Sequence, residues 1–330
     1  MDLPLFSALF LALALTLYVM LDGFDLGVGI LLLLQPARAA RDHMVDSITP
    51  TWDGNETWII MAAITLFAAF PVAYSILLPA LYVPAFLMLI SLGFRGVSFE
   101  FRVQTNRYRP EWDLAFAVGS FVAAFMQGLI LGGAVQGVKV QHLRFTGSVL
   151  DVFRPFPLIC GLALATGYTV LGAGWLILKS NPSVQSFATR CLRVAAPVFA
   201  ALFGLACIYA VKIQPGIRSA WISHTIVLAC LVALFALVAI GLATLPKRTG
   251  PVVPFLLGRL QFVIAILGMA VIVFPNVVPF RVSIWDAASS DTSQKVVLIG
   301  AVFVVPVILG YSAFAYWIFR GRTPNEGWGE

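Results

Sequence analysis

The sequence predicts an all-α polytopic membrane protein, a single transmembrane domain over residues 1–330 with about nine membrane-spanning helices. Of its 330 residues, 60% are apolar and only 11% are charged, whereas a soluble domain needs roughly a quarter charged residues to cover its surface. The apolar residues also form runs as long as the roughly 20 residues that cross a bilayer as a helix. The net charge of +6 comes from short segments between these runs, so it indicates topology rather than nucleic-acid binding.

The apolar runs define the predicted helices in order. They lie at about 5–34, 57–75, 79–99, 113–135, 157–178, 193–211, 222–244, 253–274 and 296–319. Because short loops join antiparallel neighbours into bundles, we expect two four-helix bundles plus one peripheral helix. Only the segment from Pro71 to Pro79 separates the second and third runs, which predicts a tight hairpin. A single broken helix there would reduce the count to eight.

The distribution of basic residues predicts the orientation. With nine spans, one side of the membrane carries fourteen of them: Arg38, Arg41, Arg95, Arg102, Arg107, Arg109, Lys179, Arg190, Arg193, Lys247, Arg248, Arg259, Arg320 and Arg322. The other side carries seven: Lys139, Arg144, Arg154, Lys212, Arg218, Arg281 and Lys295. The excess of Lys and Arg marks the first side as cytoplasmic. The N-terminus is then expected outside and the C-terminus inside.

The first predicted helix contains two carboxylates. Asp22 and Asp25 are three residues apart and therefore share one helix face, with Asp25 about 14 Å from the predicted inner end of the span. An unpaired charge at this depth is costly, so both should face the bundle interior. Two close carboxylates with a raised proton affinity suit a proton relay, and a structural polar pair is the alternative. Gly23, Gly27 and Gly29 permit close helix approach.

A second polar cluster begins the second predicted span. It reads Trp52-Asp53-Gly54-Asn55-Glu56-Thr57-Trp58. Asp53 suits a helix N-cap and the two tryptophans suit an interfacial belt, but three polar residues exceed what a cap needs. The cluster is predicted on the inner side, towards which Asp25 is displaced. A proton route from the cytoplasm through Asp53 and Glu56 to Asp25 is therefore the functional interpretation.

A third cluster lies at the inner end of the third predicted span, with Arg95, Glu100 and Arg102. Arg95 follows an apolar run and is positioned to pair with one of the buried acids. The alternative is a plain cationic anchor at the membrane surface.

Haem and metal ligands are not predicted in this chain. His43 and His142 lie in loops and His224 lies near the start of the seventh span, so none is placed at mid-membrane, where paired haem ligands are expected. The four cysteines have no metal-ligand spacing, and no phosphate-binding or dinucleotide motif is present. The sequence therefore predicts no metal site and no catalytic residue in this chain.

Several motifs together resemble subunit II of the cytochrome bd-type quinol oxidases. They are Asp22-Gly-Phe-Asp-Leu-Gly-Val-Gly, Trp52-Asp-Gly-Asn-Glu, Phe94-Arg95, Phe99-Glu100-Phe101-Arg102, Gly119-Ser120-Phe121, Gln136-Gly137, Phe153-Arg-Pro-Phe and Gly167-Tyr168. The resemblance spans the chain but is specific mainly in the first 180 residues. The run Gly167-Tyr-Thr-Val-Leu-Gly-Ala-Gly-Trp is similar to the cyanide-insensitive branch.

The resemblance implies a heterodimer in the bacterial cytoplasmic membrane, with room for small accessory subunits. The partner, subunit I, would carry two b-type haems and one d-type haem, oxidise quinol on the outer side and reduce oxygen to water with protons from the cytoplasm. Such a complex generates membrane potential without pumping protons. Subunit II itself would bind no haem.

Residue by residue, the resemblance implies a proton-conducting or charge-compensating role for Asp22, Asp25 and Asp53. Glu56 and Arg95 lie in matching motifs, and Trp52, Asn55, Glu100, Gly23 and Gly27 are expected to support them. Two alternatives stay open. A proton-coupled secondary transporter also uses buried acids and broken helices, and a purely structural subunit would use its acids only for assembly.

Overall fold

The computed structural model describes residues 2–105, 107–245 and 249–324. Its helices are α1 Leu3–Leu32, α2 Arg38–Asp46, α3 Trp52–Ala69, α4 Pro71–Gln104, α5 Arg109–Gln136, α6 Pro155–Lys179, α7 Pro182–Ile213, α8 Pro215–Ser223, α9 Thr225–Ala243, α10 Val252–Val273 and α11 Asp291–Ile318. Eight of them are long and apolar enough to cross a membrane: α1, α4, α5, α6, α7, α9, α10 and α11. The protein is therefore a multi-pass, all-α membrane protein.

Helix α3 is the ninth helix of 18 or more residues in the described ranges. It does not join the eight because its first turn carries Asp53, Asn55 and Glu56, which offset the apolar residues behind them. Nine crossings therefore remain a prediction.

The surface of the long helices is apolar. Phe86 on α4, Leu237 on α9 and Phe303 on α11 are each more than half exposed, and many leucines, isoleucines and valines on the same helices accompany them. Such contiguous apolar area is rare on proteins in water. It is the surface that hydrocarbon requires, and it agrees with the spans read from composition.

The break between the second and third runs is a tight hairpin. Phe70, with φ −130° and ψ 61°, is the one residue between α3 and α4. Asn55 near the start of α3 contacts Asp25, and Arg95 near the end of α4 contacts Asp22, so the two helices run in opposite directions. The structure therefore confirms that the two helices form a tight hairpin. The predicted bounds 57–75 and 79–99 are wrong.

The bounds differ because none of the prolines in this region ends a helix. Pro71 occupies the first turn of α4, where its missing N–H costs nothing. Pro79 and Pro84 lie inside the same helix, since α4 continues through both to Gln104. Proline within membrane helices is tolerated because neighbouring groups satisfy the freed carbonyls.

Three other elements differ from the sequence prediction. Helix α7 begins at Pro182 rather than 193, because Asn181 caps it by accepting from the Val184 N–H at 3.2 Å and hydropathy misses its polar first turns. The residues before the seventh predicted span form the separate short helix α8. The amphipathic α2 was not predicted. Lys247 and Arg248, counted among the predicted cytoplasmic cations, lie outside the described residues.

The two longest connections each contain a two-stranded antiparallel ribbon. Strands β1 Val140–Gln141 and β2 Arg144–Phe145 pair in the segment before α6, and β3 Asn276–Val278 and β4 Val282–Ser283 pair before α11. A short 3-10 helix at Val149–Phe153 completes the first connection. These segments lie on the membrane side opposite to α2.

Helix contacts place α1 at the centre of the first half. It packs against α3, α5 and α6, while α4 packs on α5, and α6 continues to α7 and α10. Helix α11 rests on the outer faces of α1 and α3. The division into two four-helix bundles and a peripheral helix remains a prediction. We call the side holding α2 and the end of α11 the α2 side; it is the side predicted to be cytoplasmic.

Helices α1 and α6 approach each other closely at glycines. A Cβ built on Gly27 would overlap the backbone oxygen of Tyr168, and one built on Gly172 would overlap the backbone of Gly27. The Cβ of a residue at position 23 would meet the Tyr168 ring at 2.7 Å. The glycines therefore let two backbones touch, which brings the Tyr168 hydroxyl near the buried acids of α1.

We expect Gly27→Ala to destabilise the protein by about 1–3 kcal/mol, because the added methyl forces α1 and α6 apart. The thermal midpoint of the purified protein, followed by tryptophan fluorescence, measures the effect. Gly204→Ala in α7 is the matched control, since a Cβ there meets no atom within 4 Å. Equal midpoints for the two variants would contradict the close-contact interpretation.

Candidate functional site

The centre of the site is an ion pair between α1 and α4. Arg95 donates to both carboxylate oxygens of Asp22, with Nη2 to Oδ1 at 2.6 Å and Nη1 to Oδ2 at 3.0 Å, and both side chains are fully buried. The Arg95 guanidinium also lies 5.9 Å from the ring centroid of Trp52, which stacks on Phe99. A bidentate pair of this kind fixes both side chains in one orientation.

The second acid has a different environment. Asp25 is 0% exposed and accepts one hydrogen bond, from Asn55 Nδ2 to its Oδ2 at 2.7 Å. Asn55 in turn accepts from the Tyr316 hydroxyl at 3.0 Å, so α1, α3 and α11 share one polar chain. Asp25 Oδ1 has no partner among the described residues. Since α1 ends at Leu32, Asp25 lies about 10 Å from the end of the helix rather than the expected 14 Å.

The remaining predicted residues are arranged around this pair. Glu56 is half-buried and interacts electrostatically with Arg95 and Asp22. Asp53 is exposed at the start of α3, and Glu100 is exposed on α4. The structure thus brings Asp22, Asp25, Asn55, Glu56, Arg95 and Trp52 together, with Asp53 at their edge and Glu100 outside.

Sequence reasoning missed a buried polar chain next to Asp22. Gln127 on α5 donates to the Tyr18 hydroxyl at 2.6 Å and accepts from the Tyr168 hydroxyl at 2.8 Å. Tyr18 lies one helical turn before Asp22 and interacts with it electrostatically. The available signal was weak: a glutamine and two tyrosines inside apolar runs, with nothing in the sequence to show that they meet.

A separate network of ion pairs lies on the α2 side of the helices. Arg102 bridges Asp113 at 2.6 Å and Asp42 at 2.5 Å. Arg41 adds a second bond to Asp113 at 3.1 Å, and Arg109 adds one to Asp42 at 3.0 Å. The network joins α2, α4 and α5, so Arg102 serves as an anchor between helices here. It lies apart from the Asp22–Arg95 pair.

His43 links α2 to the start of α7, where its Nε2 accepts from the Asn181 N–H at 3.2 Å. Burial lowers the pKa of His43 below its ordinary value, and the nearby Pro324 backbone partly offsets this effect. The folded protein therefore binds a proton at His43 less readily than the unfolded chain does. This stability contribution is complete above about pH 6.5 and is lost as pH falls from there through the folded pKa.

We accordingly expect the thermal midpoint to fall between pH 7 and pH 5, and His43→Gln to reduce the size of that fall. Glutamine keeps an acceptor for the Asn181 N–H but does not titrate. His224→Gln, at an exposed position, is the control and should leave the pH dependence unchanged. An identical fall in His43→Gln and wild type would refute this role.

The residues of the chain do not fit a haem. Its three histidines lie in α2, in the β1–β2 turn and between α8 and α9, all away from the middle of a span. In the ranges that the structure describes, no group of three His, Cys, Asp or Glu side chains could hold a metal ion. Within the described ranges, no two histidines therefore face each other across the bundle as a haem's axial ligands would.

The fold and the site define a class: a polytopic helical membrane protein with an ion pair and a second carboxylate inside its helix packing. Known proteins narrow this class. The family model for cytochrome bd terminal oxidase subunit II matches residues 3–319. The chain therefore belongs to this family, as a subunit of a terminal quinol oxidase, which is a haem-containing enzyme complex with a partner subunit I.

Individual relatives agree with the family. Cytochrome bd-I ubiquinol oxidase subunit 2 of Escherichia coli K12 is 30% identical over 94% of this chain and 92% of its own length. Cytochrome bd ubiquinol oxidase subunit 2 of Bacillus subtilis 168 is 26% identical over 94% and 93%. The solved structure of bd oxidase from Geobacillus thermodenitrificans aligns with a TM-score of 0.79 over 97% of this chain and 99% of that one, at 18% identity, which shows a shared fold.

Proposed function

We propose that this chain carries a proton-conducting and charge-compensating site within a quinol:oxygen oxidoreductase. Its partner, subunit I, oxidises quinol and reduces oxygen to water. The role of this chain is to admit protons from the α2 side and to hold one of them at Asp25. The chemistry of electron transfer belongs to the partner.

One observation supports this role above the others. Asp25 is fully buried, yet one of its two carboxylate oxygens lacks a partner among the described side chains. Of the two cations that interact with it electrostatically, Arg95 and Arg259, Arg95 is already paired in bidentate fashion with Asp22. A structural carboxylate would be expected to have all its acceptors satisfied. A carboxyl group that takes up and releases a proton needs an oxygen free to bind it.

The surrounding residues supply a route. Asp53 is exposed at the α2 side, Glu56 is half-buried one turn further along α3, and Asn55 connects Asp25 to α3. Within the described residues Glu56 makes no direct hydrogen bond to Asp25, so the proton is expected to cross that gap through water. Protonation of Asp25 neutralises the charge of an electron that enters the complex nearby, where the low dielectric makes an uncompensated charge costly.

The cofactors are proposed to be two b-type haems and one d-type haem, all in subunit I. The positions of the histidines in this chain support the assignment. Small accessory subunits are compatible with the heterodimer.

The orientation follows from the charge distribution. The α2 side carries Arg38, Arg41, Arg102, Arg107 and Arg109 in and around short connections, which supports a cytoplasmic location for it and for the C-terminus. The membrane is then the bacterial cytoplasmic membrane, with the N-terminus in the periplasm. Proton uptake on the inner side with quinol oxidation on the outer side generates membrane potential without a pump.

Purification of the complex through a tag on this chain tests the proposal. We expect a pigmented preparation with a second large subunit, b- and d-type haem bands in the reduced-minus-oxidised spectrum, and quinol-dependent oxygen uptake. A colourless, partnerless protein without oxygen uptake would contradict it and favour a proton-coupled transporter.

A further inference from the structure

A cleft of about 470 Å³ opens on the α2 side between α1, α6, α10 and α11. Its walls carry four cationic side chains from three distant stretches of the chain: Lys179, Arg259, Arg320 and Arg322. We call it the basic cleft. Trp175 and Tyr316 line it between the cations, and Leu21 on α1 forms part of its apolar floor. Its volume is within the roughly 300–1,000 Å³ typical of small-ligand sites.

The positive charge of the cleft is not balanced by the described part of the chain, in which none of the four cations forms an ion pair with a carboxylate. Lys179 Nζ donates to the Phe319 carbonyl at 2.6 Å, and the Arg259 guanidinium lies 4.2 Å from the Phe255 ring centroid. Neither contact neutralises a charge. Arg259 interacts electrostatically with Asp25, so even an ionised Asp25 leaves three cations uncompensated.

Ordinary reasons for a cation at a membrane surface do not cover Arg259. Lys179 ends α6 and Arg320 follows α11, where the helix dipole favours positive charge. Arg259 is the eighth residue of α10, about 10 Å from the start of the helix. A cation at that depth is costly unless an anion or water accompanies it. Asp25 can offset only Arg259 among the four cations, and only while it is ionised. The cleft therefore calls for a further negatively charged occupant that reaches below the membrane surface.

We propose that the basic cleft binds an anionic membrane phospholipid, with its phosphate among the four cations. Arginine guanidinium groups bind phosphate oxygens in bidentate geometry, and basic pockets between membrane helices bind anionic lipid headgroups. The aromatic rings and Leu21 then pack against the glycerol and the first methylenes of the acyl chains. A free phosphate ion would meet the same cations but would leave this apolar floor uncovered.

Native mass spectrometry of the whole oxidase complex, delipidated in detergent and titrated with dioleoyl phosphatidylglycerol or dioleoyl phosphatidylcholine, tests the proposal. We expect one phosphatidylglycerol bound in preference to phosphatidylcholine. The double variant Arg320→Gln/Arg322→Gln should bind it about thirtyfold more weakly, since two surface cations are removed. Arg190→Gln, an exposed charge on the same side outside the cleft, is the matched control and should bind as wild type does.

Both positions of the double variant follow the end of α11, which makes misfolding a minor concern; haem content per complex checks assembly. Three results would overturn the proposal: equal binding of the two lipids, equal affinity in the double variant and Arg190→Gln, or saturation of the site by inorganic phosphate in place of lipid. A fourth test uses a truncated variant of the chain that ends at Pro324. If phosphatidylglycerol binds only after residues 325–330 are removed, the carboxylates of that segment balance the cleft and lipid does not.

Discussion

Asp25→Asn is expected to leave the complex assembled and pigmented while lowering quinol-driven oxygen uptake per haem by about 100-fold, the scale of a lost proton-transfer group. Asparagine keeps the shape of the side chain and an acceptor for Asn55, but it binds no proton. Oxygen consumption, normalised to haem content, measures the loss of turnover. Proton uptake by proteoliposomes shows whether the protons that are lost normally enter from the α2 side.

Two companion variants make the result specific. Asp25→Glu keeps a titratable group and should recover part of the turnover. Asp286→Asn removes an exposed carboxylate on the opposite side that accepts a hydrogen bond from the Ser283 hydroxyl, and it should have no effect. Near-normal turnover in Asp25→Asn would exclude the relay. A lowered yield with normal turnover per haem would assign Asp25 to assembly instead.

The second large effect is expected at the Asp22–Arg95 pair. Arg95→Gln leaves Asp22 buried without its bidentate partner, at a cost of about 3–5 kcal/mol, so we expect little assembled complex. The double variant Asp22→Asn/Arg95→Gln removes both charges together and should be less impaired than either single variant. Haem per membrane protein and the thermal midpoint of the purified complex measure both effects.

An exposed ion pair provides the reference for the size of these single- and double-variant effects. Arg154→Gln breaks an ion pair with Asp151 in which the side chains are 51% and 26% exposed, and such pairs are worth at most about 1 kcal/mol. If the Asp22 and Arg95 effects simply add in the double variant, the two groups are not coupled. The bidentate geometry would then have no energetic consequence.

Local sequence decided the class of the protein and the position of its anomalies. Hydropathy over about 20 residues is a local property, and it located eight helices that the structure confirms as long and apolar enough to span. Asp22, Asp25 and Arg95 stood out for the same reason, since each interrupts an apolar run. The family was recognisable because its motifs are short contiguous stretches, most of them in α1, α3, α4, α5 and α6.

Single residues decided where helices begin and end. A hydropathy value averaged over many residues does not detect them. Phe70 turns the chain where proline at 71 permits a new helix to start, and the Asn181 cap sets the start of α7 among polar residues. Pro79 continues a helix that it was expected to end. These outcomes depend on which backbone groups find partners in the packed structure.

The partners of each buried group were decided only by the tertiary structure. Arg95 meets Asp22 across 73 positions, Tyr316 reaches Asn55 across 261, and Gln127 joins two tyrosines from α1 and α6. The four cations of the basic cleft likewise come together from three distant stretches of the chain. Composition determines that a helix enters the membrane, but the rotation of each helix about its axis determines which side chains meet. That rotation is set by the close packing of all neighbours at once, including the glycine contact of α1 with α6.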